Sequence, residues 1–346
     1  MMKAAKHVLV AGGAGFIGSH LCAALLERGH TVTCLDNMQT ARPENLARLK
    51  ASPRFSFVRA DVTAPLPDDV TTPARPFDRI YNLACAASPP QYQRDPEHTL
   101  LTSVDGTRSL LRLAERMGAR FLLSSTSEVY GDPDSHPQAE DYRGNVNCIG
   151  PRACYDEGKR AAEALTFDFG RLSRAEVRVA RIFNTYGPHM HPDDGRVVSN
   201  FLCQILRGQD ITIYGSGEQT RSFCYVSDMV AGLLALMEAP GQVVGPVNLG
   251  NPNEITIAEL VDIAFAVTGF DVPVRYEALP EDDPQRRRPN IDLARKLLSW
   301  EPQVPLQDGL RATADYFADL LSRSNAARSS PVKTERREDQ VAFVAQ

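Results

Sequence analysis

The chain has 346 residues, of which 43% are hydrophobic and 23% charged, with a formal net charge of −5. That length and apolar content permit a sizeable core and two closely joined domains, while the mild acidity and the lack of a recurrent basic patch argue against nucleic acid and membrane surfaces as partners. Seven scattered cysteines without Cys-x-x-Cys spacing read as reduced thiols, residues 1–6 hold no apolar leader core, and no apolar run reaches membrane-spanning length, so a cytoplasmic location is expected.

In chain order, His7 to Ala11 reads as a short buried parallel strand, followed at once by Gly12, Gly15 and Gly18 and by an apolar helix through Leu21, Leu25 and Leu26. Strand, glycine turn and helix start together form a site for a pyrophosphate, since glycine lets the backbone approach and the free helix amides favour negative charge. A second strand, Thr31 to Leu35, ends in Asp36. A carboxylate there can accept from the adenine ribose hydroxyls and repels a ribose phosphate, which favours NAD over NADP. Further strands are expected at Phe55 to Val58, Arg79 to Ala84, Arg120 to Ser125 and Val177 to Ile182, with long helices near 97–117 and 152–172. This βαβ alternation predicts an α/β fold, a doubly wound, mostly parallel sheet with its ligand crevice at the strand C-terminal ends.

Tyr155 and Lys159 stand four apart and so share one helix face, where an ammonium can stabilise a phenolate that takes a proton from an alcohol. A lone pair of this kind is usually a helix surface; the glycine turn and Asp36 upstream reverse that. After about residue 188 the alternation weakens into helices near 197–208, 227–238 and 256–268 with strands at Ile211 to Tyr214 and Val272 to Arg275, a smaller substrate-side lobe. The division expected is 1–188 for the dinucleotide-binding domain, interleaved with a lobe at 189–323, and a mobile tail at 324–346, which lacks an apolar period. His189 and His191 lack companion ligands at zinc spacing, and no metal is expected.

The glycine turn and the Tyr-x-x-x-Lys pair resemble the extended short-chain dehydrogenase/reductase superfamily, whose members share a Rossmann-type sheet. Ser125-Thr126-Ser127-Glu128-Val129-Tyr130-Gly131, Gly144 to Asn147, Cys154 to Arg160, Arg181 to Pro188 and Asp193 to Phe201 resemble its UDP-glucuronate decarboxylase branch, over about residues 7 to 320. The Glu of Ser-Thr-Ser-Glu sets this branch apart from the epimerases, and the dehydratases usually carry an acidic pair there. Two departures are Ser103, where the superfamily often has Asn, and Cys148, where the decarboxylases usually have Pro.

The resemblance implies a role for each matching residue. Phe16, Ile17, Asn37, Asp61, Val62 and Leu83 would join Gly12, Gly15, Gly18 and Asp36 around NAD. Tyr155 would take the C4 hydroxyl proton, Lys159 tune Tyr155 and hold the nicotinamide ribose, and Thr126 bind the C4 oxygen. Ser127 and Glu128 would face the C5 and C6 end, with Glu128 positioning water or assisting protonation and Arg287 governing the carboxylate. Asn184 and Arg221 are candidates for the diphosphate, Tyr214 for the uracil region and Val198 for the substrate wall. Oxidation at C4 makes the substrate a β-keto acid, which can lose carbon dioxide to an enolate, and re-reduction at C4 yields UDP-xylose. A ketone-releasing decarboxylase, another epimerase or dehydratase of the superfamily, and a noncatalytic redox sensor are the alternatives. The resemblance also implies a homodimer built through the two long helices.

Overall fold

The computed structural model describes residues 4–279 and 286–329. Seven parallel strands form the main sheet: β1 (His7–Ala11), β2 (Thr31–Asp36), β3 (Phe55–Arg59), β4 (Arg79–Asn82), β5 (Arg120–Thr126), β6 (Val177–Ile182) and a last strand, Val247–Leu249. Their spatial order is Val247–Leu249, β6, β5, β4, β1, β2, β3. The chain therefore builds outward in one direction through β3 and then in the other from β4, leaving the topological switch between β1 and β4, where a doubly wound sheet opens its crevice. The Rossmann-type architecture expected from sequence is the one observed.

β1, β2, β4, β5 and β6 are largely buried on both faces, which is why they read as apolar runs, whereas β3 at the sheet edge is only partly covered. Val8 and Val10 of β1 pack with the Phe16–Glu27 and Val226–Glu238 helices, through Leu21, Leu25, Leu233 and Met237. Leu9 and Ala11 point the other way, to Leu110 and Leu113 of the Thr107–Met117 helix and Ala162 and Phe169 of the Ala153–Arg171 helix. A separate core under the second lobe joins the Val197–Leu206, Ile257–Thr268 and Leu306–Ser329 helices through Phe201, Leu202, Leu260, Leu310 and Phe317.

Four elements differ from the sequence expectation, one of them the three-residue strand Val247–Leu249, which was not expected. The long helix near 97–117 is interrupted: Pro96–Leu101 and Thr107–Met117 are joined by a π-helical turn, Thr102–Gly106. Ser103 lies in that turn against Gly158, whose Cβ, if it had one, would stand 3.1 Å from Ser103 Cβ, so the two helices meet closely. The strand expected at Val272 to Arg275 is instead Val274–Glu277, because Pro273 has no N–H and contributes only its carbonyl, which accepts from Ile211. The Leu306–Ser329 helix runs on through residue 324, since a helix anchored by Leu310 and Phe317 propagates one bond per added residue. Residues 330–346 of the expected tail lie outside the described residues. No described helix is long and apolar enough to cross a membrane.

One polar interaction fixes the Ala153–Arg171 helix to the sheet. Glu163 on the helix receives both Nε and Nη2 of Arg181 on β6, at 2.9 and 2.8 Å, and the hydroxyl of Ser125 on β5 at 2.5 Å. Both charged side chains are nearly excluded from water. Removing one member of such a pair strands the other charge, so Glu163→Ala is expected to cost about 3 kcal/mol of stability. Chemical denaturation should show this as a lower midpoint; an unchanged midpoint would remove Glu163 from its structural role.

Candidate active site

A cleft of about 610 Å³ opens at the C-terminal ends of the parallel strands. Its first end is the turn after β1. Gly12 has φ +74°, and a Cβ there would lie 2.6 Å from the Leu83 carbonyl carbon, while a Cβ on Gly18 would run into the Gly12 carbonyl oxygen. Only glycine fits either place. Gly15 precedes the Phe16–Glu27 helix without a side-chain cap, so the first amides of that helix are available to an anion. Gly12, Gly15, Phe16, Ile17, Gly18 and Leu83 all line the cleft.

Asp36, Asn37, Asp61 and Val62 are not among its lining residues; they sit behind this end. Asp36 accepts from Ala14 N at 3.0 Å and Met38 N at 2.8 Å, so it braces the glycine turn with part of its acceptor capacity. Burial raises its pKa above the ordinary aspartate value, against the pull of those amides. Asn37 donates to Asp61 Oδ2 at 2.7 Å, and His98 Nε2 reaches the same oxygen at 2.8 Å. Burial works against ionisation of Asp61, yet hydrogen bonds from Thr63, Asn37 and His98 hold its pKa well below the usual range. Val62 is buried and would meet a Cβ on Gly106.

Mid-cleft, β5 ends at Thr126, and the chain turns through Ser127 and Glu128, with Thr126 Oγ1 accepting from Glu128 N at 3.2 Å. The Ala153–Arg171 helix lays Tyr155 and Lys159 alongside. Their shared face is as expected, but the ammonium does not dominate the phenol. Lys159 Nζ donates to the Ser124 carbonyl at 3.0 Å and lies 5.8 Å from the Tyr155 ring centroid. Burial pushes the Tyr155 phenol up, the nearby Cys85 thiol adds to this, and a hydrogen bond with Thr126 draws it back down. Burial lowers the Lys159 pKa. Tyr92 stacks on Tyr155 with centroids 5.0 Å apart and planes 4° from parallel.

Glu128 is the electrostatic centre. Its Oε2 receives Arg152 Nη2 at 2.6 Å and Arg287 Nη2 at 3.1 Å. Burial would raise its pKa, but the charges of Arg287 and Arg152 pull it down to about 2. Glu128 is therefore an ion-paired carboxylate at neutral pH. Arg287 is buried and also donates to the Ser127 carbonyl at 2.9 Å. The short strand Arg286–Arg287 pairs with Thr220–Ser222, placing Arg287 in register with Arg221. Asn184, Val198, Tyr214 and Arg221 line the far end of the cleft, with Tyr214 largely open to solvent and Arg221 donating to the Thr220 carbonyl at 2.9 Å.

Four residues in or beside the cleft were missed from sequence. Arg152, three before Tyr155, looked like a helix-start residue, because its partner Glu128 is distant in the chain. Asp156 looked like a first-turn acid; burial and then the Glu128 charge push its pKa up to about 7, against the pull of Arg152 and Arg287. Arg196 is paired with Asp194 and its charge faces Tyr155. Tyr92 ends the short helix Pro89–Tyr92, too brief to carry a sequence signal. His189 and His191 diverge: His189 stacks on His20 and meets Ser19 Oγ at 3.0 Å, whereas His191 accepts from Asp193 N. Among the described residues no group of three or more His, Cys, Asp or Glu is placed to hold a metal.

The description of the NAD dependent epimerase/dehydratase family matches residues 8–250. UDP-glucuronic acid decarboxylase 1 of Xenopus tropicalis is 51% identical over 319 residues, covering 92% of this chain and 74% of its own. UDP-glucuronic acid decarboxylase 2 of Arabidopsis thaliana is 54% identical over 327 residues, covering 94% and 72%. Among solved structures, UDP-glucuronic acid 4-epimerase from Bacillus cereus, in complex with UDP-glucuronic acid and NAD, superposes with a TM-score of 0.83 at 28% identity, over 91% of this chain and 99% of that one. A dTDP-glucose 4,6-dehydratase from Streptomyces venezuelae with NAD bound gives 0.83 at 28%, over 92% and 98%.

The raised Asp156 pKa has a stability consequence whose sign is fixed. The folded chain holds this proton up to about pH 7, whereas the unfolded chain releases it near the ordinary aspartate value of 3.8. The contribution is therefore complete below about pH 4 and is lost as pH rises through 7. Relative to Asp156→Asn, the parent protein should lose stability between pH 4.5 and 7.5 in urea titrations. A stability difference that stays level across that window would refute the assignment.

Proposed function

This chain belongs to the NAD dependent epimerase/dehydratase family, and on that premise we propose that it is the enzyme that converts UDP-glucuronate to UDP-xylose and carbon dioxide. The observation that carries this reading is the Glu128 carboxylate held between Arg152 and Arg287 in the same cleft as Thr126, Tyr155 and Lys159. A sugar uncharged at C6 has no use for a fixed cationic cluster in this cleft, whereas a uronic acid does, and among enzymes on uronic acids the 51% and 54% identities to UDP-glucuronic acid decarboxylases favour decarboxylation over 4-epimerisation.

The residues at the glycine turn fit NAD. Positions 12 and 18 are ones a Cβ would fill, and the helix start between them has uncapped amides. Bound there, NAD supplies a reversible two-electron acceptor for the sugar C4. Gly12, Gly15, Phe16, Ile17 and Gly18 would hold its diphosphate, with Asp36 at the adenosine ribose and Lys159 at the nicotinamide ribose.

Tyr155 takes the proton of the C4 hydroxyl, with Thr126 fixing the oxygen by a hydrogen bond. The raised phenol pKa of the buried Tyr155 means that substrate contact and the Lys159 charge must together bring it into working range. With C4 as a ketone, the C5–C6 bond breaks and its electron pair passes into the C4 oxygen. The Arg287 guanidinium holds the carboxylate before this step, Arg152 adds positive charge nearby, and Glu128 keeps that charge from binding it too tightly. A proton then reaches C5, and as C4 regains the hydride that NAD would have stored, Tyr155 returns its proton to the C4 oxygen; the net reaction consumes one proton and releases one carbon dioxide. Asn184 and Arg221 are placed for the diphosphate, since amide and guanidinium offer several directed donors, and Tyr214 and Val198 for the uridine end.

Tyr155→Phe should keep NAD and UDP binding within about threefold while lowering turnover by roughly 100-fold or more, because the phenol moves a proton and anchors nothing. Near-normal turnover would sink the base assignment. The substrate reading is tested with UDP-glucuronate deuterated at C4. The label should stay at C4, carbon dioxide and UDP-xylose should form in equal amounts without net NADH, and in heavy water one deuteron should enter C5. Accumulated NADH with a 4-keto pentose nucleotide would favour a ketone-releasing decarboxylase, and a retained carboxyl carbon an epimerase.

A further inference from the structure

Arg152 stands just before the helix that carries Tyr155 and Lys159, and its guanidinium crosses to Glu128 on the turn after β5. Arg287 reaches the same Glu128 oxygen from the small sheet of the second lobe, where it is paired in register with Arg221. Two guanidinia from different walls thus converge on one carboxylate oxygen, and the other oxygen lies 3.4 Å from Ser127 Oγ. All three side chains line the cleft, with exposures of 12% for Arg152, 16% for Glu128 and 2% for Arg287.

The two contacts differ in what they constrain. Arg287 is anchored independently by the Ser127 carbonyl, so its place does not depend on Glu128. The shorter Arg152 contact is what joins Glu128 to the helix of Tyr155. Without it the carboxylate keeps only Arg287 and the long Ser127 contact and can rotate about its last torsion, which is broad for a carboxylate terminus. Its charge would still be present, but no longer in a fixed relation to the phenol.

We propose that Arg152 is a positioning residue that acts on the reaction through Glu128, holding that carboxylate in register with Tyr155 so that the C4 and C5–C6 ends of the sugar are met by one rigid unit. This rests on the decarboxylase reading above. It extends that reading to a residue given no role there beyond its charge, and it makes a distinctive kinetic demand. A group that works only through a second group has nothing left to lose once the second is gone.

The test is a double-mutant cycle on the full-length protein. Arg152→Gln should lower kcat for UDP-glucuronate by roughly 100-fold, as expected for a misplaced reacting group, with KM kept within about threefold. In the Glu128→Gln background the same substitution should change kcat by less than about threefold. Arg152→Lys, which keeps the charge without the planar fork, should recover part of the loss and serves as the variant of record if Arg152→Gln shows no cooperative melting. Penalties that multiply in the double variant would overturn the proposal, as would a raised KM with intact kcat, which would mean that Arg152 holds substrate directly. If the parent protein instead turns over a different UDP-sugar, the decarboxylase reading fails, and the same cycle on that substrate still decides whether Arg152 acts through Glu128.

Discussion

The carboxylate of Glu163 links three elements that the active cleft cannot do without. It grips Arg181 of β6 with two parallel hydrogen bonds and takes a third from Ser125 of β5, so the helix bearing Tyr155 and Lys159 has a fixed height and rotation over the strand that ends in Thr126. A paired charge of this kind is costly to bury and gives little net stability compared with an apolar contact of the same size. What it supplies is direction. Apolar packing of Ala162 and Phe169 against the sheet would tolerate a small slide of the helix, whereas a forked guanidinium and carboxylate do not. The hydrogen bond between Thr126 and Tyr155, and that between Lys159 and the Ser124 carbonyl, follow from this one alignment.

Charge in the cleft is arranged by the same logic. Arg152 and Arg287 are opposed by Glu128, and Asp156 stands near enough to feel all three. Two carboxyl groups so placed do not share their ionisation evenly: the one that touches the guanidinia gives up its proton and the one behind keeps it. Near neutral pH the cluster therefore carries a positive excess. That suits a site built to receive a carboxylate and to let it go as a neutral gas. Arg196, tied to Asp194 and facing Tyr155, adds a further fixed dipole at the other side of the phenol.

What could be read from the sequence follows from how local each feature is. Tyr155 and Lys159 lie within one helical turn of each other, and Gly12, Gly15 and Gly18 within one loop, so their geometry is implied by spacing alone. The first six strands of the main sheet were nearly as plain, because a largely buried strand is an apolar run with little to confuse it, whereas the three-residue Val247–Leu249 was not foreseen. Arg287 was found only through its resemblance to a known segment; its pairing with Arg221 depends on a three-stranded sheet assembled from distant pieces of chain. Arg152 and Tyr92 were not found, since their partners, Glu128 and Tyr155, come together only in the folded chain. The carbonyl that engages Lys159 was hidden for a related reason: spacing shows that Tyr155 and Lys159 share a face, but not that the ammonium also meets the Ser124 carbonyl.

The seventh strand has a bearing on how the molecule is made. Val247–Leu249 lies beside β6, yet it comes after the first helices of the second lobe. A chain that stops short of it has no partner for the outer edge of β6, whose amides and carbonyls then face outward as a template for any other extended segment. On the ribosome, where domains form as they emerge, the first lobe must wait with that border open while the second is still being synthesised. The crossing of the chain back to the main sheet thus also prevents the first part of the chain from being finished alone, and a fragment cut at the boundary expected near residue 188 inherits a ragged seam along β6 where the whole protein has a covered one.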